Sequence, residues 1–348
     1  MFTSALLQWF DQYGRHELPW QKKITPYRVW VSEIMLQQTQ VATVIPYYQK
    51  FMHRFPTVKQ LALAEQDEVL LHWSGLGYYA RARNLHRTAQ IIHQKYRGTF
   101  PKSLALLMEL PGIGRSTAGA ILSLSMNIPA TILDGNVKRV LTRYYAIDSW
   151  PGKTDIEKQL WQLADKHTPK QRCNAYNQAM MDLGALVCTR TQPQCPLCPL
   201  NKNCRAHVNG MEESYPIRKP IDSRIRPEKS TTMLLLQNPF GAFMLEKRPP
   251  VGIWGGLWAF PECPTDTHVE QWCREHFQCE IIEQSQQAMI YHQFSHFRLK
   301  INPLLLQVTQ QTKSVMESSD RIWYKRTDML PGGIPAPVAK LLRHFTVT

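Results

Sequence analysis

The sequence is short of acidic residues relative to basic ones. Its 348 residues include 41 Lys and Arg but only 27 Asp and Glu, which gives a formal net charge of +14. Residues 1–218 carry 26 basic and 15 acidic residues, a net of +11, whereas the remainder carries 15 and 12, a net of +3. A basic surplus attracts polyanions, so we expect the first part of the chain to bind one, although charge also serves solubility.

Long apolar runs are also missing. No stretch approaches the roughly 20 apolar residues that span a bilayer. The start, Met1 to Leu7, lacks the basic residues of a secretory signal and soon meets Gln8 and Asp11. We therefore expect a cytoplasmic protein without a membrane partner. Repeats and low-complexity tracts are absent as well, and a chain this long predicts two domains rather than one core.

Cysteine is scarce and unevenly placed. Four of the eight lie close together along the chain: Cys188, Cys195, Cys198 and Cys204. In a chain without an export signal, clustered cysteines indicate a metal centre rather than disulfides. Four thiolates can hold one zinc ion or one iron–sulfur cluster. Zinc ribbons generally use two separated Cys-x-x-Cys pairs, and only one such pair is present here.

The hydrophobic periodicity changes once along the chain. Up to about residue 205, apolar positions recur at helical spacing. The clearest examples are residues 3–13, 27–37, 41–55 and 156–167. From residue 206 to 229 the periodicity fades into Asn-Gly, Pro and alternating charges, which is typical of a linker.

Strand-like runs follow the linker. They flank a turn at residues 238–241 and alternate again over 297–307, with helices expected at 269–277 and 338–344. We predict a multidomain protein: an all-α domain over residues 1–205, a linker over 206–229 and an α/β domain over 230–348.

One carboxylate stands in an otherwise apolar helix. Glu33 is the only acid between Pro26 and Tyr48 and lies within Val-Trp-Val-Ser-Glu-Ile-Met-Leu. A buried carboxylate without a partner usually raises its pKa and stays protonated. Glu33 is therefore either a structural acid satisfied by a partner or a proton donor kept neutral.

Residues 103–126 predict two short helices joined by a tight turn. The turn, Leu-Pro-Gly-Ile-Gly-Arg, contains Gly112 and Gly114, which allow backbone N–H groups to face outward. Together with the N-terminus of the second helix they form a phosphate site that reads no bases. A simple helix–helix turn is the alternative. Further along the chain, a helix is expected to start near Asn136, and Asp134 can cap it.

These motifs together resemble one enzyme family. The cysteine gaps of six, two and five residues, the Leu-Pro-Gly-x-Gly-x-x-Thr-Ala hairpin and the aspartate after it resemble the endonuclease III and MutY group of DNA glycosylases. Residues 32–40, Ser-Glu-x-Met-Leu-Gln-Gln-Thr-Gln, match its MutY-type adenine DNA glycosylase branch. The resemblance covers nearly the whole chain. It implies a helix-hairpin-helix domain whose four clustered cysteines hold a [4Fe–4S] cluster.

The resemblance assigns the chemistry to two acids. Glu33 would protonate N7 of adenine, which is a poor leaving group at neutral pH. Asp134 would face the deoxyribose and stabilise the oxocarbenium-like or covalent intermediate. Bifunctional members carry a lysine where this chain has Ser116, so a monofunctional hydrolase is expected. Lys138 leaves weak lyase activity open.

DNA contacts are carried over in the same way. Tyr78, helped by Leu76, is expected to wedge into the stack beside the extruded base, with core packing as the other interpretation. The expected DNA-binding residues before the linker are Gln38, Thr39, Leu76, Tyr78, Arg81, Gly112, Gly114, Ser116 and Lys138. The expected base pocket consists of Trp20, Leu36, Gln178 and Asp182.

The region after the linker resembles a Nudix fold, as found at the C-terminus of MutY-type enzymes. The resemblance rests on residues 252–261, Gly-Ile-Trp-Gly-Gly-Leu-Trp-Ala-Phe-Pro. A working Nudix hydrolase binds Mg²⁺ through Arg-Glu-x-x-Glu-Glu, but Arg274-Glu275 has no following Glu pair. We therefore expect no pyrophosphatase chemistry. By the same resemblance, Phe294, Ser295 and His296 match the loop that reads the lesion, so recognition of 8-oxoguanine is expected instead. A plain strand-end loop is the alternative.

The resemblance as a whole implies an enzyme that removes adenine opposite 8-oxoguanine or guanine in duplex DNA. The rival interpretations are an endonuclease III-like glycosylase/lyase for oxidised pyrimidines and a catalytically silent DNA-binding module. We expect a monomer associated with the nucleoid. Replication-clamp and mismatch-repair proteins are candidate partners, between which the sequence does not choose.

Overall fold

A computed structural model describes residues 2–219, 227–294, 296–309, 320–325 and 327–345. Contacts divide the chain into two compact units. The first consists of Met1–Leu63 and Asn84–Asp222, and the second of Ala64–Arg83 and Ser223–Thr348. Within the described ranges, no helix combines the length and the apolar character needed to cross a membrane.

Helices build the part of the chain before the predicted linker. In chain order they are α1 (Phe2–Tyr13), α2 (Pro26–Leu36), α3 (Val41–Arg54), α4 (Val58–Leu63), α5 (Gln66–Trp73), α6 (Ala80–Lys95), α7 (Leu104–Met108), α8 (Arg115–Ala120), α9 (Gly135–Tyr145), α10 (Thr154–His167), α11 (Cys173–Leu186) and α12 (Arg205–Val208). The four helices that periodicity predicted most clearly correspond to α1, α2, α3 and α10.

Helix α2 is buried on nearly every side. Thr25 caps its first turn by accepting a hydrogen bond from the Arg28 N–H, and Pro26 occupies the first helical position, where a missing N–H costs nothing. Trp30, Val31 and Met35 are almost fully inaccessible to solvent. A carboxylate on this helix is therefore surrounded mostly by apolar side chains.

The second helix of the predicted hairpin widens part-way. Residues Ile121–Ser125 form a π-helical turn that continues α8, a feature common at functional sites. The turn before α8 contains Gly112, whose φ is +76°. A β-carbon added to Gly112 would lie 2.9 Å from Cβ of Asn84, so both φ and space favour glycine there.

An eight-stranded sheet forms the core of the second unit. Its strands are β1 (Glu228–Gln237), β2 (Phe243–Lys247), β3 (Trp258–Ala259), β4 (Glu262–Cys263), β5 (Ile281–Gln286), β6 (Ile290–Gln293), β7 (Arg298–Val308) and β8 (Arg321–Tyr324). The main order is β3-β2-β1-β7-β5, with β4 on β1, β6 on β7 and β8 on β2. Strands β1 and β7 are parallel, and the other pairs are antiparallel.

Helices α13 (Val269–Phe277) and α14 (Ala336–His344) complete the second unit, close to the predicted ranges. The predicted turn at 238–241 joins β1 to β2, and Gln237 pairs with Phe243. A helical domain followed by an α/β domain is thereby confirmed as the fold class.

A segment from the helical part of the sequence belongs to the second unit. Asp67 accepts a 2.8 Å bond from Lys247, and Arg83 donates to the carbonyl of Gly255 at 2.6 Å. These contacts join residues 64–83 to the sheet. The predicted limits of 1–205, 206–229 and 230–348 stay predictions, because contacts group segments by compactness and do not mark where a domain family begins.

Candidate active site and cysteine loop

A cavity of about 840 Å³ opens in the first unit. Its walls come from α2, from the segment after it, from the start of α8, from the loop before α9 and from α11. Both predicted catalytic acids, Glu33 and Asp134, line it together with Trp20, Leu36 and Gln178. The structure thus brings three separate parts of the sequence, residues 20–36, 134 and 178, to one concave surface, as expected of a ligand site.

Burial holds Glu33 in its neutral form. Loss of solvation on α2 is the main cause that raises the pKa of Glu33 to about 8, and the nearby Asp134 carboxylate adds to the rise. At neutral pH the Glu33 carboxyl therefore carries a proton. A neutral acid that faces a cavity can donate that proton to a bound base.

Asp134 is held by hydrogen bonds from the start of α9. Its Oδ1 accepts from the Val137 N–H at 2.8 Å, and its Oδ2 accepts from the Asn136 side-chain amide at 2.9 Å. Burial raises the pKa of Asp134, whereas these two donors and the charge of Arg139 act in the opposite direction. The predicted N-cap role is observed, and the carboxylate lines the cavity as well.

The surroundings of the two acids differ. Burial and the charge of Asp134 both raise the pKa of Glu33, whereas hydrogen bonds and the charge of Arg139 oppose the effect of burial on the pKa of Asp134. A carboxyl kept neutral beside one whose charged form is stabilised by donors is the division of roles that acid catalysis with charge stabilisation requires.

Ser116 joins the hairpin to the loop that carries Asp134. Its hydroxyl oxygen accepts a 3.0 Å hydrogen bond from the Leu133 N–H, and its side chain lines the cavity. A β-carbon on Gly119 would lie 2.2 Å from the carbonyl oxygen of Thr131, so this part of the helix packs directly against the same loop. The start of α8 therefore helps to fix Asp134.

One predicted pocket residue does not reach the cavity. Asp182 is fully buried, and its carboxylate binds the backbone N–H, Nε and Nη2 of Arg15 at 2.6 to 2.9 Å. Asp182 therefore does not itself line the cavity, and its part in the base pocket stays a prediction. Asp182 acts through Gln178, whose Nε2 donates to it at 2.9 Å. Since a carboxylate only accepts, the Gln178 amide is fixed in one orientation.

Lys138 is engaged elsewhere. Its Nζ lies 2.5 Å from Oε1 of Glu157.

Arg139 connects Asp134 to the cysteine loop. It donates to Oδ1 of Asn136 at 2.8 Å and to the carbonyl of Cys188 at 2.7 Å, while Asn136 binds Asp134. A continuous hydrogen-bonded chain thus runs from the cavity to the first clustered cysteine.

A buried arginine organises the cysteine loop. The guanidinium of Arg143 is 2% exposed and donates to Sγ of Cys188 at 3.3 Å. It also binds the carbonyls of Thr189, Arg190, Glu212 and Tyr215. These bonds tie α9 to the loop and to the segment after α12. Charge on the Cys188 sulfur would be stabilised by this donor.

The spacing of the four clustered thiols distinguishes two kinds of metal centre. Each of Cys195, Cys198 and Cys204 has a pKa raised mainly by burial and also by neighbouring cysteines of the set. Among the described residues, however, no three of the four sulfurs lie within 4.8 Å of one another. Tetrahedral zinc at Zn–S distances of about 2.3 Å would bring sulfurs to about 3.8 Å. The donor set and spacing therefore fit a larger cluster better.

A different group around Cys195 is compact. The ligand atoms of Cys195, His207 and Glu212 all lie within 4.8 Å of one another, and His207 Nδ1 contacts Glu212 Oε1 at 2.5 Å. The Cys195 thiol also hydrogen-bonds to Glu212. The carboxylate and imidazole therefore lie beside the loop as neighbours of one of its cysteines.

The predicted wedge residues lie in the second unit and differ in exposure. Tyr78 is 51% exposed and has φ +49°, an unusual value for a bulky residue. Arg81 stacks against its ring at 5.4 Å and donates to the carbonyl of Gly77 at 3.2 Å. Leu76 is only 6% exposed. Tyr78 is presented to solvent, whereas Leu76 packs inside.

Two of the predicted lesion-reading residues, Phe294 and His296, lie in a hairpin loop. Phe294 follows β6, and its N–H donates to the carbonyl of Phe297 at 2.9 Å, which closes the loop before β7. The Phe294 ring stacks on Phe297 at 4.7 Å and contacts Trp254 at 5.5 Å. His296 is exposed. Ser295 lies outside the described residues.

The remaining predicted DNA contacts surround the cavity or the hairpin. Gln38, with φ +57°, and Thr39 follow α2 and line the cavity. Gly114 forms the N-cap of α8, and a β-carbon there would meet no atom within 4 Å, so the turn is open on that side.

Sequence reasoning missed Arg15, Asn136, Arg139 and Arg143. Only the four-residue spacing of Arg139 and Arg143 on α9 could have drawn attention to them.

Comparisons with known proteins agree with this architecture. Residues 31–166 match the family model of the HhH-GPD superfamily base excision DNA repair protein, and residues 232–344 match that of the NUDIX domain. The chain is 41% identical to the adenine DNA glycosylase of Buchnera aphidicola subsp. Acyrthosiphon pisum, over 99% of this chain and 97% of that protein. The chain belongs to the adenine DNA glycosylase family. The family predicted from the sequence is thereby confirmed.

The adenine DNA glycosylase family extends to distant organisms. The human enzyme of that name is 33% identical over 99% of this chain and 74% of its own length. Solved structures resemble the helical part. A thermostable thymine-DNA glycosylase has a TM-score of 0.55 at 27% identity, covering 60% of this chain and 95% of that chain. Endonuclease III in a non-covalent DNA complex has a TM-score of 0.51 at 25% identity with the same coverage.

Proposed function

We propose that this chain is a monofunctional adenine DNA glycosylase that acts on adenine opposite 8-oxoguanine or guanine in duplex DNA. The observation that carries the proposal is the pair of acids in the cavity, where burial keeps Glu33 neutral and donors at the start of α9 hold the Asp134 carboxylate. Family membership supports the activity, since the relatives bear the name adenine DNA glycosylase.

Glu33 acts first, as the general acid. With adenine extruded into the cavity, its carboxyl hydrogen is transferred to N7 of the base, and the electrons of the glycosidic bond pass into the purine ring. Because its pKa is about 8, the Glu33 carboxyl is protonated, and therefore uncharged, at neutral pH. Trp20, Leu36 and the oriented amide of Gln178 supply the walls that hold the base.

Asp134 then stabilises the positive charge that develops on the deoxyribose. Its carboxylate either shields the cation or bonds to it, and water finally takes the place of the base. The bonds from Val137 and Asn136 fix the carboxylate before the substrate arrives, so little reorganisation is needed during bond cleavage. Retention through a covalent adduct is the course that the family resemblance favours.

Lyase activity is not part of the proposal. Ser116 offers a hydroxyl that accepts a backbone hydrogen bond, and the Lys138 amine forms an ion pair with Glu157. Neither residue supports a Schiff base with the sugar. These contacts favour hydrolysis over the endonuclease III-like alternative.

The four cysteines would hold a [4Fe–4S] cluster. Among the described residues, no three of the four sulfurs lie within 4.8 Å of one another, which favours a cluster over one zinc ion, and Arg143 offers a donor to the Cys188 sulfur. Such a cluster would fix the shape of the loop that carries Arg190, Lys202 and Arg205. We also propose that Tyr78 enters the base stack and that Phe294 and His296 contact 8-oxoguanine, with the hairpin glycines facing a phosphate.

Two labelled duplexes test the function. One contains adenine opposite 8-oxoguanine, and the other contains an oxidised thymine. Strand breakage of the first duplex alone, and only after alkali, is the expected result for a monofunctional adenine glycosylase. Prompt breakage of the second duplex would instead support a glycosylase/lyase for oxidised pyrimidines.

A further inference from the structure

Three cysteines outside the metal-binding loop lie together in the core of the second unit. Cys263 ends β4, Cys273 lies in α13 and Cys279 follows that helix by two residues. All three pack in one apolar cluster with residues of β1, β2 and β7. None of their side chains is more than 3% exposed.

The end of α13 brings two of these thiols into contact. Gln278 follows the helix with φ +48° and turns the chain back. Such a left-handed residue after a helix commonly places the next side chain against one in the last turns. The Cys279 N–H lies 3.4 Å from the carbonyl oxygen of Cys273, and the Cys279 sulfur lies 3.9 Å from the same oxygen. The two thiols are also close enough for each to change the pKa of the other.

This geometry is compatible with a covalent bond between the two sulfurs. With the 3.4 Å hydrogen bond between them, ordinary bond lengths limit the Cα separation of Cys273 and Cys279 to about 7 Å or less. Disulfides span Cα distances of about 4.4–6.8 Å. Among the described residues, the sulfurs of Cys263, Cys273 and Cys279 do not all lie within 4.8 Å of one another, so these three thiols do not form a site for one metal ion.

We propose that Cys273 and Cys279 form a peroxide-oxidisable dithiol, a modification site separate from the catalytic cavity and independent of the proposed function. A hydroperoxide oxidises the Cys279 thiol to a sulfenic acid and is itself reduced, releasing water from H₂O₂. The Cys273 thiol then attacks the sulfenic sulfur, the S–O bond breaks, and a second water leaves. Two thiols and one H₂O₂ give one disulfide and two waters.

The position of the pair distinguishes it from cysteines that merely fill an apolar core. Buried thiols are usually inert, and Cys263, held in a strand of the sheet, should behave in that way. Cys279 instead lies in the turn after a nine-residue helix, where local opening costs less than opening the sheet. The Cys273 side chain also lowers the pKa of the Cys279 thiol, which favours its attack on peroxide.

Peptide mapping of the full-length protein tests the proposal. The native protein is exposed to hydrogen peroxide, its free thiols are alkylated after denaturation, and the digest is analysed with and without reduction. The expected product is a peptide pair, or a single peptide, that carries both Cys273 and Cys279, lacks two hydrogens and resists alkylation until it is reduced. Cys263 should remain fully alkylated in the same sample and thus serves as an internal control.

Matched variants define the linkage. Cys263→Ser should retain the peroxide-dependent disulfide, whereas Cys279→Ser should lose it and leave Cys273 open to alkylation. Full alkylation of both cysteines in the treated native protein would overturn the proposal. A disulfide to Cys263, or oxidation of Cys279 to sulfinic acid without linkage, would also overturn it.

Discussion

The two units present their proposed functional residues in opposite ways. In the first unit, Glu33 and Asp134 face a cavity, and backbone and side-chain donors fix Asp134. In the second unit, Tyr78 and His296 are exposed and lie in loops. Acid catalysis needs a desolvated and preorganised environment, whereas recognition of a duplex needs groups that reach outward. Substitutions in the first unit should therefore change the rate of excision, and those in the second should change binding.

Glu33→Gln gives the strongest expected separation of rate from binding. The amide keeps the size of the side chain but has no acidic proton, so single-turnover excision should fall by about 10²–10⁴-fold. Binding of a duplex with adenine opposite 8-oxoguanine, measured by gel shift, should stay unchanged. Glu17→Gln is the matched control, because Glu17 is exposed and pairs weakly with Lys22 at 3.6 Å. An equal loss of binding would contradict the assignment.

Asp134→Asn should reduce the excision rate by about 10²–10³-fold, because the charge that stabilises the sugar cation is lost. The variant asparagine can still accept the Val137 N–H, so α9 should retain its cap. Circular dichroism checks the fold, and quenched-flow excision checks the rate. A variant with the native rate would show that Asp134 is only a helix cap.

Ser116→Ala should have a smaller effect, about tenfold on kcat, because the Leu133 N–H loses its acceptor and Asp134 is less well positioned. Ser116→Thr retains a hydroxyl and should restore the rate. DNA affinity should change little in either variant if positioning is the main role of Ser116. A loss of affinity without a change in kcat would instead make Ser116 a DNA contact.

The smallest effects are expected in the second unit. Phe294→Ala removes an aromatic contact and should weaken the preference for 8-oxoguanine over guanine by about 0.5–1.5 kcal/mol, or up to roughly tenfold. Competition binding with the two duplexes measures this difference. Phe240→Ala is a useful control, since Phe240 is an exposed phenylalanine in the β1–β2 turn. An equal effect of both substitutions would point to general destabilisation.

Both acids could be singled out from the sequence because their surroundings are local. Glu33 lies in a helix whose apolar neighbours are visible along the chain, and Asp134 follows a recognisable hairpin. The partner of Asp182 could not be foreseen, because it is Arg15, 167 positions away. Such partners are set by tertiary packing, which spacing along the chain does not encode.

The same limit explains the other differences. The grouping of residues 64–83 with the sheet depends on bonds such as Lys247 to Asp67, between residues 180 positions apart. The role of Arg143 depends on five long-range acceptors, none of which its own helix reveals. Helix limits, by contrast, follow local caps and were close to the predicted ranges.

The pH dependence of single-turnover excision tests the central claim most directly. Glu33 works in its protonated form, which is complete below its pKa of about 8 and is lost above it. The rate constant should therefore be level near neutrality and fall about tenfold per pH unit above pH 8, and Glu33→Gln should abolish this decline. A rate that rises through pH 8, or a decline that persists in Glu33→Gln, would contradict the account.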